Sequence, residues 1–405
     1  MKKIVLISVG QPSTNPRLVK EANTLANAGF DVYVIYSYWT QWAWEADKLL
    51  FKKIKWTPML AAGSPFEDKL AYFLSRLRVK LFGFIAAKLT LKYGIAEIAK
   101  GRTYPALVKK AASIKADLYI AHVQAALPAA VNAAKKNNAK CGFDAEDFHR
   151  NEVSDDVNSV DYRISKYIED KYLPEVDYIT ASSPLIAKCY SELYKRAVTV
   201  LLNVFPAVPH PVKVYNKTEP LMLFWFSQTI SSARGVSDCI NALHFINNPA
   251  IELHLLGHAD SQTKQLLTKI AGDRVTLVFH EPIAPDEIIQ FASNFDVGLA
   301  MEDTMPYNRD ICLTNKIFTY MKAGLAIIAS DTSAQKSFMN DYPGVGEVYI
   351  NRDIRSIARA ISFYFSNPDQ LYSAKKASYK IAFNELNWEK ESKKFLQIIN
   401  NTLSS

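Results

Sequence analysis

Short apolar runs alternate with amphipathic stretches along this chain, and the alternation runs through twice. Residues 3–9 (KIVLISV) form a nearly continuous apolar run, as a buried strand requires. Residues 16–29 place Leu18, Ala22, Leu25 and Ala26 at helical spacing and close on Gly29, which predicts a helix. Strands follow at 31–36 (DVYVIY), 117–122 (DLYIAH), 140–143, 178–181 and 198–202, with a helix at 125–136. Strands separated by helices imply right-handed crossovers and a parallel sheet.

Residues 205–220 (FPAVPHPVKVYNKTEP) hold four prolines and no period, and form the best linker in the chain. The same grammar then resumes. Strands are predicted at 221–226, 251–256, 275–279, 295–300 and 325–329, and helices at 236–243, 285–294 and 316–323. The implied class is α/β, with two Rossmann-like halves whose parallel sheets face across a cleft. The predicted boundaries are 1–205, a linker at 206–220, 221–385, and a terminal helical segment at 386–405 that packs back toward the first half.

The 405 residues exceed what one core organises, in keeping with two domains. Cys141, Cys189, Cys239 and Cys312 are widely spaced, which fits free thiols in a reducing compartment better than a metal or disulfide framework. No apolar run reaches the roughly 18 residues of a membrane span, and residues 1–16 read as a first strand and loop, so the expected location is cytoplasmic. The net charge of +8 is unevenly spread: residues 69–110 carry ten Lys/Arg and one acid, Glu97, interleaved with aromatic and aliphatic residues. Two readings fit this stretch, a helix lying on the inner face of an anionic membrane or a helix packed on its own domain with a solvated basic back. Nucleic acid is disfavoured by the absence of zinc-finger, RNP or basic-zipper patterns.

The stretch richest in chemistry is FWFSQTISSARG over 224–235, running into the helical pattern that begins at Val236. A strand ending in a small polar turn that opens a helix aims free N–H groups and a helix dipole at one spot, which suits a phosphate. Arg234 adds a forked cation. On these residues alone, a plain strand–turn–helix connection with a solvated arginine fits equally well. No P-loop, catalytic triad, zinc spacing or EF-hand loop occurs.

Taken in order, DVGLA at 296–300, NKIFTYMKAGLAIIAS at 315–330, SQTISSARG at 227–235, LLGH at 255–258, NPRLVKEA at 15–22 and FDAED at 143–147 resemble the retaining glycosyltransferase family 4, of the GT-B fold. That resemblance implies transfer of a sugar from a UDP- or GDP-sugar to a cell-envelope, polysaccharide or lipid-linked glycan acceptor, with no metal or other cofactor and no nucleic acid. It implies catalytic roles for Arg234 and Lys316. Glu146 stands where many members place a histidine near the transferred sugar, and its carboxylate either supports a cationic sugar there, as a third catalytic group, or caps the following helix. Donor contacts fall on Ser227, Gln228, Thr229, Gly235, His258, His280, Leu313, Thr314, Asn315 and Thr319, and the acceptor side on Gly10, Asn15, His122 and Asp144. The chain departs from the family where a pair of glutamates is usual: Ile311 and Thr319 stand there, and a threonine cannot grip a ribose diol as a carboxylate does. Glu302, Asp303 and Asp310 are the nearby acids that could substitute. The alternatives are a GT-B-fold scaffold without activity and a nucleotide-sugar epimerase.

Overall fold

A computed structural model describes residues 1–232 and 235–404. It divides into two compact units. The first comprises Met1–Leu201, Pro306–Asn308 and the terminal stretch from Ser392, and the second Leu202–Met305 and Arg309–Glu391.

The first unit is built on β1 (Lys3–Ile7), β2 (Asp31–Ser37), β3 (Thr57–Ala62), β4 (Leu118–His122), β5 (Lys140–Ala145), β6 (Tyr178–Ala181) and β7 (Thr199–Val200). They lie in the order β3-β2-β1-β4-β5-β6-β7, and every pairing is parallel. Ile4, Leu6, Leu118 and Ile120 from the central strands pack with Leu18 and Leu25 of the first helix and with Phe395 and Ile399 of the last. The apolar spacing did not reveal β3, because Pro58 interrupts it. At a sheet edge a missing N–H is tolerated, and β3 is the edge strand. The basic segment folds as helices Lys69–Lys88, Ile95–Lys100 and Tyr104–Ala112. Among the described residues no helix is long and apolar enough to cross a membrane.

The second unit carries β8 (Leu221–Thr229), β9 (Ile251–His258), β10 (Thr276–His280), β11 (Val297–Ala300), β12 (Ala326–Ser330) and β13 (Gly346–Tyr349), all parallel, in the order β10-β9-β8-β11-β12-β13. Strand β8 continues past the predicted 226 through an irregular register between Phe226 and Thr229. Gly257 permits this: its φ is +147°, and a Cβ there would lie 2.1 Å from the Ser227 carbonyl oxygen. The helix predicted over 285–294 is only Ile288–Ala292. Beneath the sheet, Lys375 and Asp296 form a fully buried ion pair at 2.9 Å.

Both sheets reverse direction beside their first strand, between β1 and β4 in one unit and between β8 and β11 in the other. In open α/β sheets this switch point is where the connecting loops diverge and leave a crevice at the carboxyl ends of the strands.

Candidate active site

At the switch point of the first unit, Asn15 caps the helix Pro16–Asn27 by accepting the Leu18 N–H at 3.0 Å. Its amide then donates to Glu146 Oε1 at 2.5 Å, joining the loop after β1 to the residue after β5. One turn into the helix, Arg17 is buried and grips Asp144 with two bonds, Nε to Oδ2 at 2.5 Å and Nη2 to Oδ1 at 2.6 Å. Its remaining arm donates to the Leu201 carbonyl at 2.5 Å. Thr180 on β6 donates to the same Asp144 carboxylate at 2.6 Å.

His122, at the end of β4 and wholly buried, is ringed by acids. Its Nε2 lies 3.2 Å from Glu21 Oε2, and its Nδ1 lies 3.4 Å from Glu146 Oε1 and 3.6 Å from Asp144 Oδ2. Burial alone would lower its pKa, but Glu21, Glu146 and Asp144 outweigh that and raise it to about 10. His122 is therefore an imidazolium at neutral pH. Burial would lift the Asp144 carboxyl, yet Arg17 and His122 hold it below its usual value. Burial and the neighbouring Asp144 together push Glu21 upward. Arg17 and His122 thus stand among three acids, Asp144, Glu21 and Glu146, of which Glu146, partly open to solvent, lies at the rim.

The signs give a pH prediction. His122 has a folded pKa raised from 6.5 to about 10, so its stabilisation is complete below about 6.5 and drains away as pH rises toward 10. Thermal unfolding followed across this window should show a decline that the His122→Gln variant lacks. Parallel curves for the two proteins would mean that the imidazole is neutral.

Glu21, His122 and Asp144 offer ligand atoms close enough together to hold a cation. Arg17 and protonated His122 already neutralise those carboxylates, however, so the donor set fits an internal salt network better than a metal. His122 and Asp144, expected on the acceptor side, are both sealed in this network. Glu146 and Asn15 form its edge, and Gly10, whose N–H donates to Ser8 Oγ at 3.2 Å, lies in the partly exposed loop after β1. Arg17 and Glu21 were missed. The available signal was their position, four apart on the helix and adjacent to Leu18, Ala22 and Leu25 on the face that turns inward.

In the second unit, Ser227, Gln228 and Thr229 end β8, with Gln228 and Thr229 exposed. Arg234 lies outside the described residues. Gly235 opens helix Val236–Ile246 at φ +76°, and a Cβ there would come within 2.9 Å of the Met301 Cβ, so both the turn and the close approach require glycine. No side chain caps this helix, and none caps helix Asn315–Ala323. By contrast Asp260, Thr332 and Asp353 cap the helices after β9, β12 and β13. Helix Ile288–Ala292 after β10 is uncapped as well, but only Val236–Ile246 and Asn315–Ala323 stand beside the switch-point strands β8 and β11, where an uncapped N-terminus leaves N–H groups for an anion.

Lys316, in the first turn of helix Asn315–Ala323, is buried. Its Nζ donates to Glu302 Oε1 at 2.5 Å and lies 5.6 Å from the Trp225 ring centroid. Glu302 follows β11 and is held through its backbone N–H, which donates to Ser330 Oγ at 3.0 Å. Lys316 is therefore not the solvent-facing cation that a first-turn lysine suggests. Asn315 is exposed and accepts from Asn203 at 2.8 Å, while Thr314 Oγ1 is buried without a hydrogen-bond partner. Leu313, Ile311 and Thr319 are all buried. Of the acids that could replace the missing glutamates, Asp310 instead binds the N–H and hydroxyl of Ser333, and Asp303 pairs with Arg352 at 3.4 Å. Only Glu302 stands at the switch point.

His258 ends β9 with an exposed side chain, and its carbonyl accepts the Ile230 N–H at 2.8 Å. His280 is not gathered with the others. It sits on the edge strand β10, two strands from the switch point, where its Nε2 meets His254 Nδ1 at 2.9 Å and its ring packs against Phe291.

No protein-family model matches this chain, and no curated protein matches it in sequence. Two switch-point α/β sheets in series define the class: the chain has the GT-B fold. Among solved structures it is similar to Anabaena HepE in complex with UDP and glucose, at a TM-score of 0.71 and 14% identity over 99% of this chain and 100% of that one. It is also similar to sucrose-phosphate synthase from Thermosynechococcus elongatus, at 0.67 and 15% over the whole of both chains. A putative UDP-N-acetylglucosamine 2-epimerase from Listeria monocytogenes matches at 0.56 and 12%, over 98% of this chain and 94% of that one.

Proposed function

We propose that this protein is a retaining glycosyltransferase that moves a sugar from a UDP- or GDP-sugar to a cell-envelope or lipid-linked glycan, without a metal or other cofactor, on the cytoplasmic side of a membrane. The observation that carries the reading is the second unit's switch point, where two uncapped helix N-termini, the exposed end of β8 and Lys316 converge. As the glycosidic bond to the donor breaks, charge develops on the departing diphosphate, and fixed N–H donors and cations there lower the barrier. Anabaena HepE, similar in fold, has been crystallised with UDP and glucose. In this reading Arg234 and Lys316 face the diphosphate. Glu146, the one acid of the first unit's network that is partly exposed, is the group assigned to support positive charge developing on the sugar.

The test is thermal unfolding with UDP, GDP and ADP. A nucleotide at about 100 times its Kd should add about 2.7 kcal/mol to the stability of the native state. Arg234→Ala should shrink that shift, and no shift with any of the three would remove the proposal.

A second reading is a GT-B-fold protein that binds nucleotide without turnover. Buried Ile311 and Thr319 favour it, since they stand where the family resemblance puts acids. Slow release of nucleoside diphosphate from a UDP- or GDP-sugar, lost in Arg234→Ala, would exclude this reading. The epimerase alternative predicts an epimerised sugar nucleotide, which NMR of the products would reveal.

A further inference from the structure

Helix Lys69–Lys88 is amphipathic in the inverted sense. At about 100° per residue, Leu70, Phe73, Leu74, Leu77, Leu81 and Phe84 fall within an arc of about 100°. All six are between 54% and 70% exposed. The opposite face carries the helix's two buried residues, Ser75 and Ala86. An ordinary surface helix turns its apolar stripe inward, whereas this one turns it to solvent and packs through small residues. The orientation is pinned from beneath. Arg102 Nη1 donates to Ser75 Oγ at 2.9 Å, the other arm of Arg102 reaches the Tyr38 carbonyl at 2.6 Å, and Arg78 donates to the Arg102 carbonyl at 3.2 Å. The stripe therefore cannot roll into the core without breaking these bonds.

Charge frames the stripe. Lys69, Arg76 and Lys80 lie along one flank, Arg78 along the other, and Lys88 at its end, with no acid from residue 69 to residue 96. Beyond the helix, Leu89 and Tyr93 are also exposed. A continuous apolar face this large on an otherwise folded unit marks a docking surface.

We infer that this face docks on an anionic lipid bilayer, with the six apolar side chains entering the interfacial zone and the basic flanks meeting lipid phosphates. Apolar insertion combined with basic flanks is the chemistry of helices that lie in the membrane plane. A second copy of this chain is a poorer occupant, because a self-complementary interface would set basic flank against basic flank. The docking bears on the proposed reaction by bringing the loop after β1 near a lipid-linked acceptor, but it does not depend on nucleotide binding.

The test is co-sedimentation of the full chain with phosphatidylcholine vesicles, with and without phosphatidylglycerol. Binding is expected only with the anionic lipid. Neutralising Arg76 and Lys80 to glutamine should weaken it by about thirty-fold. The Phe73→Ser/Leu77→Ser/Phe84→Ser variant should fold, since these side chains touch solvent, and should lose vesicle binding while keeping any nucleotide-induced thermal shift. Failure of the parent chain to bind anionic vesicles, or unchanged binding by the triple variant, would overturn the inference. So would a dimer in sedimentation velocity that the triple variant dissolves.

Discussion

Replacing Arg17 with methionine should destabilise the first unit by about 3–5 kcal/mol, the usual result of removing one partner from a buried ion pair. For a unit of this size that is roughly 6–20 °C in the unfolding midpoint. The cost comes less from the lost bonds than from what remains. Asp144, fully buried, would keep only Thr180 and His122 against its charge, and Glu21 would lose the cation 3.6 Å away. Arg17 is the main cation holding Asp144 ionised, so the single variant leaves that buried carboxylate short of positive charge. The double variant Arg17→Met/Asp144→Leu leaves the neutral pair His122–Glu21, and much of the stability should return. A double variant as unstable as the single one would show that packing, and not charge balance, is what Arg17 supplies.

Replacing Lys316 with methionine should lower turnover by about 10²–10³-fold, equivalent to about 2.7–4 kcal/mol of transition-state stabilisation. The expectation follows from its position: a buried ammonium beside an uncapped helix N-terminus acts where water screens little. Its charge is shared with Glu302, which holds the ammonium over the Trp225 ring. Removing Lys316 alone strands Glu302, so Lys316→Met/Glu302→Gln is the companion that separates folding from chemistry. Single-turnover assays of a properly folded double variant should show the same deficit. Turnover equal to the parent's would mean that the lysine serves Glu302 alone.

The two halves were legible because burial writes itself into sequence as period: apolar runs for strands covered on both faces, a spacing near four for the helices between them. β1, β2, β4, β5, β6 and all but one strand of the second sheet fall where the pattern puts them. β3 and β13 did not show, since their residues (TPMLAA and GEVY) are mostly only partly buried and carry little periodic signal. The phosphate-suited turn at 224–235 was visible as a strand running into Gly235 and a helix. The partners of the titratable groups were not visible. Asp144 meets Arg17 across 127 residues and Lys316 meets Glu302 from a neighbouring element, and no local rule pairs such residues.

What the sequence by itself determined is the order of elements, hence the fold class and the ends of strands where chemistry gathers, because backbone hydrogen bonding and apolar burial act locally and repeat. What only the tertiary structure decided is the state of each charge: His122 became an imidazolium within an acid ring, Lys316 a paired cation, His280 a ring packed far from the switch point, and the apolar stripe of residues 70–84 an outward face. Charge and exposure depend on which groups the fold brings within a few ångströms, and that distance is set by the packing of elements remote in sequence.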